Sequence, residues 1–259
     1  MQHYKGFAVV YDELMADAPY ERWGKYITEI LQKQKSKLVL DLACGTGNMT
    51  LLLAKKGFDM IGVDLSEDML ATAQQKMYEE NQRILFLAQD MRELDLYGTV
   101  DAVICVCDGL NYILDPSDLT KVFARVKLFL NPGGIFIFDI NTEYKFKEVM
   151  ANRIFEGESA KGAAYEWENN FNEETRINEY RVTFFNHQNP NEEPFTEIHK
   201  QRAYTQAEII RTLKETGFCN ILVCDDYTGE PSKPNSTRLA FTANGSMPGS
   251  ENLCQKEQR

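Results

Sequence analysis

The stretch Val39-Leu40-Asp41-Leu42-Ala43-Cys44-Gly45-Thr46-Gly47 decides the fold. A short apolar run from Lys37 to Leu42 passes straight into a glycine turn, and Met49 to Lys56 then reads as a helix stopped by Gly57. That order is the mark of a buried strand feeding a strand–helix junction. Glycine lets the backbone turn tightly and lets a ligand approach without a side chain in the way. In an open α/β sheet the ligand crevice lies beyond the carboxyl ends of the strands. A lone G-x-G is a weak signal, and its place at the first strand–helix junction strengthens it.

The same alternation continues outward. Asp59 to Val63 reads as a second strand ending at Asp64, and Ser66 as the N-cap of a helix with Met69, Leu70, Ala73 and Met77 on one face. Ile84 to Ala88 is a third strand. Val100 to Val106 is a fourth, continuously apolar as expected when both sheet faces are covered. A helix over Leu119 to Leu130, the turn Asn131-Pro132-Gly133-Gly134 and a strand over Ile135 to Ile140 follow. Strands alternating with helices predict a doubly wound parallel sheet. Between Ala163 and Tyr204 the period changes to two, which predicts three antiparallel strands, with turns at Asn169 to Thr175 and Gln188 to Pro194. Thr205 to Thr216 (helix), Cys219 to Asp225 and Thr237 to Thr242 (strands) close the core. The expected division is a helical cap over 1–36, a core over 37–150, a β insertion over 151–204, closing elements over 205–242 and a disordered tail over 243–259.

The residues around the glycine loop constrain its ligand. A nicotinamide enzyme would carry G-x-G-x-x-G, but the third glycine position is Thr50. Asp41 places negative charge where a pyrophosphate would lie, whereas a cationic sulfonium with an α-ammonium group would be attracted. This contrast favours S-adenosylmethionine over NAD. Asp64 suits the two ribose hydroxyls of either cofactor. Asp90 can accept a hydrogen bond from an adenine amino group, with Met91 as an apolar wall. Singly, these acids could be a surface charge, a helix cap and loop charge. All three fall at successive strand ends on the crevice side, and that joint placement decides for the site.

Together these motifs resemble the class I S-adenosylmethionine-dependent methyltransferases. Leu40 to Gly47 matches the family's cofactor loop, Gly62-Val63-Asp64 its ribose-binding strand end and Gln89-Asp90-Met91 its adenine position. Phe7 to Asp12 is similar to the N-terminal helix of glycine and sugar-amine N-methyltransferases. The resemblance implies a seven-stranded Rossmann-like sheet with an antiparallel final strand, and Tyr11 against the methionine end of the cofactor. The expected cofactor contacts are Tyr11, Trp23, Asp41, Ala43, Gly45, Gly47, Asp64, Leu65, Met69, Asp90, Met91 and Cys107.

The cofactor brings the activated methyl carbon, so the protein chiefly aligns the acceptor. Asp108, Asn111 and Tyr112, past the fourth strand, are the candidate catalytic residues; turn chemistry and helix capping are the alternative for Asp108 and Asn111. The insertion is expected to form a lid or a homodimer surface, with Tyr165, Trp167 and Tyr180 either binding a cation or, the better-favoured reading, packing the small sheet. His187 and His199 read as surface histidines. A metal at Asp108, Asp139 and Asn141 has no supporting motif, and none is expected.

Composition narrows the acceptor. Of 259 residues, 39 are acidic and 28 basic, a net charge of -11, which argues against phosphodiester backbones and anionic membranes. The Asp/Asn-Pro-Pro-aromatic motif of nucleic-acid base N-methylation is replaced by Asp108-Gly109-Leu110-Asn111. A small N- or O-nucleophile is therefore expected, with tRNA or protein methylation, a non-catalytic cofactor-binding module, and last a dehydrogenase as the rivals. No membrane span or signal sequence is visible, and the six cysteines show no C-x-x-C spacing, so reduced thiols in the cytoplasm are expected. Cys105 and Cys107, two apart in a strand-like run, are expected on one side.

Overall fold

The computed structural model describes residues 7–158, 163–186 and 194–246. Helices α1 (Phe7–Leu14) and α2 (Tyr20–Gln34) precede a core of β1 (Leu38–Leu42), α3 (Asn48–Lys55), β2 (Asp59–Asp64), α4 (Glu67–Glu79), β3 (Leu85–Ala88), β4 (Val100–Cys105), α5 (Pro116–Phe129) and β5 (Leu130–Asn141). After the insertion come α6 (Gln206–Glu215), β10 (Phe218–Asp225) and β11 (Arg238–Gly245). The sheet order is β10-β11-β5-β4-β1-β2-β3, with β11 antiparallel to both neighbours, as the resemblance implies.

Alternate residues of each strand feed two apolar cores. Val39, Ala102 and Ile104 join Trp23, Ile27, Met49 and Leu53 beneath α2 and α3. Leu40, Val103 and Cys105 join Phe123, Phe136, Ile209 and Leu213 beneath α5 and α6. Helices on both faces explain the unbroken apolar runs. Strand β1 pairs with β2 on one side and β4 on the other, so the order reverses there and a crevice opens beyond its carboxyl end.

The insertion is a four-stranded antiparallel sheet, β6 (Ile154–Glu158), β7 (Ala163–Asn172), β8 (Ile177–Asn186) and β9 (Phe195–Arg202), rather than three strands. Strand β6 is short and acidic, with little apolar alternation to announce it. Its Gly157 sits where a Cβ would lie 2.5 Å from the Tyr165 hydroxyl, so the missing side chain makes room for that ring. Asn169, Asn170, Phe171 and Asn172 belong to β7 rather than to the expected turn. Strand β11 continues past Thr242 to Gly245, which pairs with Phe218. His187, Cys254 and the tail from 247 lie outside the described residues. Cys105 and Cys107 do not share a side: Cys107 and Asp108 both take left-handed φ values, ending the strand, and Cys107 packs against the α2–α3 core. Among the described residues no helix is long and apolar enough to cross a membrane.

Candidate active site

The loop after β1 turns through three left-handed residues, Ala43, Gly45 and Gly47. Gly45 opens onto a cavity of about 470 Å³ beyond β1, β2, β3 and β4. Gly47 works in the other direction and is absent from the wall of this cavity. A Cβ there would lie 3.0 Å from that of Ala73, so Gly47 lets α3 pack on α4. Of the expected cofactor residues, Tyr11, Asp41, Ala43, Gly45, Asp64, Leu65, Met69, Asp90, Met91 and Cys107 line the cavity. Trp23 does not. Its indole donates to Asp226 Oδ1 at 3.0 Å, and its ring lies in the core beneath the Arg238 guanidinium, 4.9 Å away.

Asp64 Oδ2 accepts from the Gly45 N–H at 2.8 Å and Oδ1 from the Ser66 N–H at 2.9 Å, so each oxygen keeps acceptor capacity for a ribose hydroxyl. Burial pushes its pKa up, and those backbone bonds oppose the rise. Asp41 is nearly enclosed. The hydroxyl of Thr50, at the position where a dinucleotide fingerprint has glycine, donates to it at 2.5 Å. Burial, reinforced by Asp64, raises the Asp41 carboxyl to about 7 against the Thr50 bond. Asp90 is held below the usual range by its bonds from Arg92, which also reaches Asp118 at 3.1 Å. This donor and acceptor set could hold S-adenosylmethionine, with Asp64 placed to take the ribose, Asp90 and Met91 the adenine, and Tyr11 and Cys107 the far end.

That far end also contains Tyr20 and Asn48, which the sequence reading missed. Tyr20 begins α2 directly after Pro19, and nothing in its spacing marks it out. Its hydroxyl lies 3.6 Å from Cys107 Sγ. Burial raises the phenols of Tyr11 and Tyr20, and it pushes the Cys107 thiol up to about 12.

Asp108 stands behind this end, fixed by a second buried acid. Asp139 accepts from the backbone N–H groups of Cys107 (2.9 Å) and Asp108 (2.8 Å) and from the Tyr227 hydroxyl (2.7 Å). Arg238 pairs with both acids, its Nη2 2.8 Å from Asp108 Oδ1. Burial works against the charge of Asp108, but Arg238, Lys145 and the Gln201 amide bring its pKa below the ordinary value. The guanidinium lies between the two carboxylates named for a metal, and the Asn141 amide bonds Lys145 and Gln201.

Asn111 is fully buried. Its Nδ2 donates to the carbonyls of Asn141 (3.1 Å) and Arg202 (2.8 Å), and its Oδ1 accepts from the Asn141 N–H. Its amide braces backbone, in place of the acceptor contact expected of it. Tyr112 lines the cavity, and its hydroxyl meets that of Tyr180 at 2.5 Å and His199 Nδ1 at 3.3 Å. His199 is accordingly buried, stacked on Tyr180, and not the surface residue expected. Tyr180, Val182 and Phe184 pack with Met69, Tyr165, Trp167, Tyr11 and Leu14, so these aromatics seat the inserted sheet over α1 and α4.

The sheet, the cavity at its switch point and the acid at each strand end define a methyltransferase of the S-adenosylmethionine-dependent class, and the chain belongs to that family. Residues 39–134 match a family model described as a methyltransferase domain. Over 241 residues the chain is 39% identical to "Putative methyltransferase YqeM" of Bacillus subtilis (strain 168), covering 93% of this chain and 96% of that one. The crystal structure of an S-adenosylmethionine-dependent methyltransferase from Clostridium acetobutylicum ATCC 824 superposes with a TM-score of 0.84 at 34% identity, covering 94% of this chain and 99% of that one. A glycine/sarcosine N-methyltransferase of Halorhodospira halochloris is 30% identical over 141 residues, 53% of each chain.

Proposed function

We propose that the protein transfers the methyl group of S-adenosylmethionine to a nitrogen of a small-molecule amine. The observation that carries this reading is the state of the groups around Cys107. Asp108 is held ionised by Arg238, and the nearby phenols and thiol are held protonated. None of these groups beside Cys107 is poised near neutrality to take a proton in the transition state, and the one cavity carboxyl raised to about 7, Asp41, is already engaged by the Thr50 hydroxyl. A neutral amine needs no such base, whereas an alcohol does. When bound, the cofactor supplies a carbon already activated by its sulfonium. The protein's share is to close the cavity with α1 and the inserted sheet and to align the nucleophile behind that carbon. Similarity to glycine/sarcosine N-methyltransferases supports nitrogen as the target. The reduced thiols of Cys44, Cys105, Cys107 and Cys224 support a reducing compartment, in keeping with the cytoplasm.

The test is a screen of amines, phenols, alcohols, thiols and carboxylates with methyl-labelled cofactor. Product is expected with primary or secondary amines. Product confined to phenols or alcohols would overturn the nitrogen assignment, and cofactor binding with no product in any class would identify a non-catalytic module.

A further inference from the structure

Strand β4 ends in a turn built from two residues that do not favour it. Cys107 and Asp108 take φ values of 63° and 54°, one after the other, in the left-handed region that side chains rarely adopt. The Asp139 carboxylate, on β5, bridges them. Its Oδ2 accepts from the Cys107 N–H at 2.9 Å and its Oδ1 from the Asp108 N–H at 2.8 Å. Successive N–H groups closing on one anion form a backbone nest, and the anion holds the turn in place. The second acceptor site of each oxygen is also filled, by the Tyr227 hydroxyl on Oδ2 at 2.7 Å and by Arg238 Nη1 on Oδ1. Asp139 is fully buried, forms no part of the cavity wall, and has no acceptor capacity left for a ligand.

The same two peptides have an opposite side. Their bonds are trans, so each carbonyl points away from the N–H of its own unit. With the N–H groups of Cys107 and Asp108 drawn to β5, the carbonyls of Val106 and Cys107 turn from β5 toward β1, because β4 lies between those strands. The cavity opens on that side, and Val106 and Cys107 line it. Among the described residues neither carbonyl accepts a hydrogen bond. Two such dipoles suit a cationic donor, and S-adenosylmethionine brings one in its α-ammonium group.

We infer that Asp139 is a positioning residue for the cofactor: by holding the Cys107–Asp108 turn left-handed, it aims the Val106 and Cys107 carbonyls at the α-ammonium of S-adenosylmethionine. This role holds whatever the acceptor. Asp139 touches no ligand and acts through the backbone alone. A merely structural tie would support every ligand of the cavity alike, whereas a positioning role is confined to ligands that carry the ammonium.

The test measures three affinities by calorimetry: S-adenosylhomocysteine, its deamino analogue with hydrogen in place of the α-amino group, and 5′-methylthioadenosine, which has no amino-acid end. Wild type should bind S-adenosylhomocysteine at least about 10-fold more tightly than the deamino analogue. Asp139→Asn loses the anion, and Asp139→Glu keeps the charge but displaces its oxygens. In both, that ratio should fall to within about 2-fold while 5′-methylthioadenosine binds as before. Equal affinities in wild type, or a ratio that survives either variant, would overturn the role. A ratio lost in Asp139→Asn alone would make it a distant charge effect, and an equal loss for all three ligands a structural one. A crystal structure of wild type with S-adenosylhomocysteine decides the matter even if neither variant folds. It should show the nest intact and the ammonium within about 3.2 Å of the Val106 or Cys107 carbonyl. An ammonium beyond about 3.5 Å from both, or a turn released from Asp139, would overturn the assignment.

Discussion

At the scale of single residues, the acids were legible and their partners were not. Asp41, Asp64 and Asp90 stand out because each ends a strand on the crevice side, a pattern that survives in one dimension. Trp23, Tyr20 and Asn111 did not announce their roles, because these depend on which turn of backbone or which helix faces them across the sheet. Thr50 was noticed only for not being glycine, yet its hydroxyl is what holds Asp41. A pH dependence follows from that pair. The Asp41 carboxyl titrates at about 7 in the free protein, and a cationic ligand binds its ionised form better. Affinity for S-adenosylmethionine should therefore rise as pH increases from 6 to 8. Affinity for S-adenosylhomocysteine, whose sulfur is neutral, should rise less. Calorimetry with both ligands checks this, and Asp41→Asn should make the two profiles parallel. Asp64→Ala should weaken both ligands by about 100-fold or more, since two hydrogen bonds to a charged acceptor are lost; unchanged affinity in the same titration would remove Asp64 from the ribose site.

At the scale of elements, the helix caps and the parallel strands were readable, while the insertion was undercounted because β6 is held by pairing with β7 rather than by its own pattern. The best-determined element boundary is the start of α6. Thr205 and Glu208 form a reciprocal capping box, and Arg176, in the turn between β7 and β8, pairs with Glu208. Burial works against the charge of Glu208, but Arg176 and the Thr205 bonds hold its pKa at about 2, below its ordinary 4.5. The folded value is the depressed one, so the stabilisation is present in full above about pH 4.5 and is lost as pH falls toward 2. Urea unfolding across that range should show wild type losing on the order of 1–2 kcal/mol that Glu208→Gln never had. The turn carrying Asp108 is held differently, by Arg238 and Asp139. Arg238→Met takes the guanidinium from between two buried carboxylates, leaving them only their hydrogen bonds and Lys145, and should cost about 3–5 kcal/mol in the same assay at neutral pH. A loss below 1 kcal/mol would mean that the acids are neutral in the fold.

At the scale of the whole molecule, local alternation called for a doubly wound sheet, while its seven strands and antiparallel last strand came with the family resemblance. How α1 closes on the loop after β1 was beyond sequence reading, because it joins residues far apart in the chain. Asp12 Oδ1 accepts from the Thr46 hydroxyl (2.6 Å) and the Asn48 amide (2.9 Å), while Oδ2 takes the Lys76 ammonium at 2.7 Å. Lys76 also bonds Asn48 Oδ1 at 2.6 Å, so one carboxylate ties α1 to both the cofactor loop and α4. Its neighbour Tyr11 lines the cavity and packs beneath the inserted sheet. We expect release of a cofactor from under that helix to need these bonds to break together. Asp12→Ala removes all three, and with partial solvent exposure offsetting their strength the barrier should fall by about 1–2 kcal/mol. S-adenosylmethionine should then dissociate roughly 5- to 30-fold faster in stopped-flow displacement by sinefungin. The core, which α1 does not build, should keep its unfolding midpoint within a few degrees. A dissociation rate within twofold of wild type would show that the helix opens without Asp12 and that the closing strength lies in the apolar contacts of Tyr11 and Leu14.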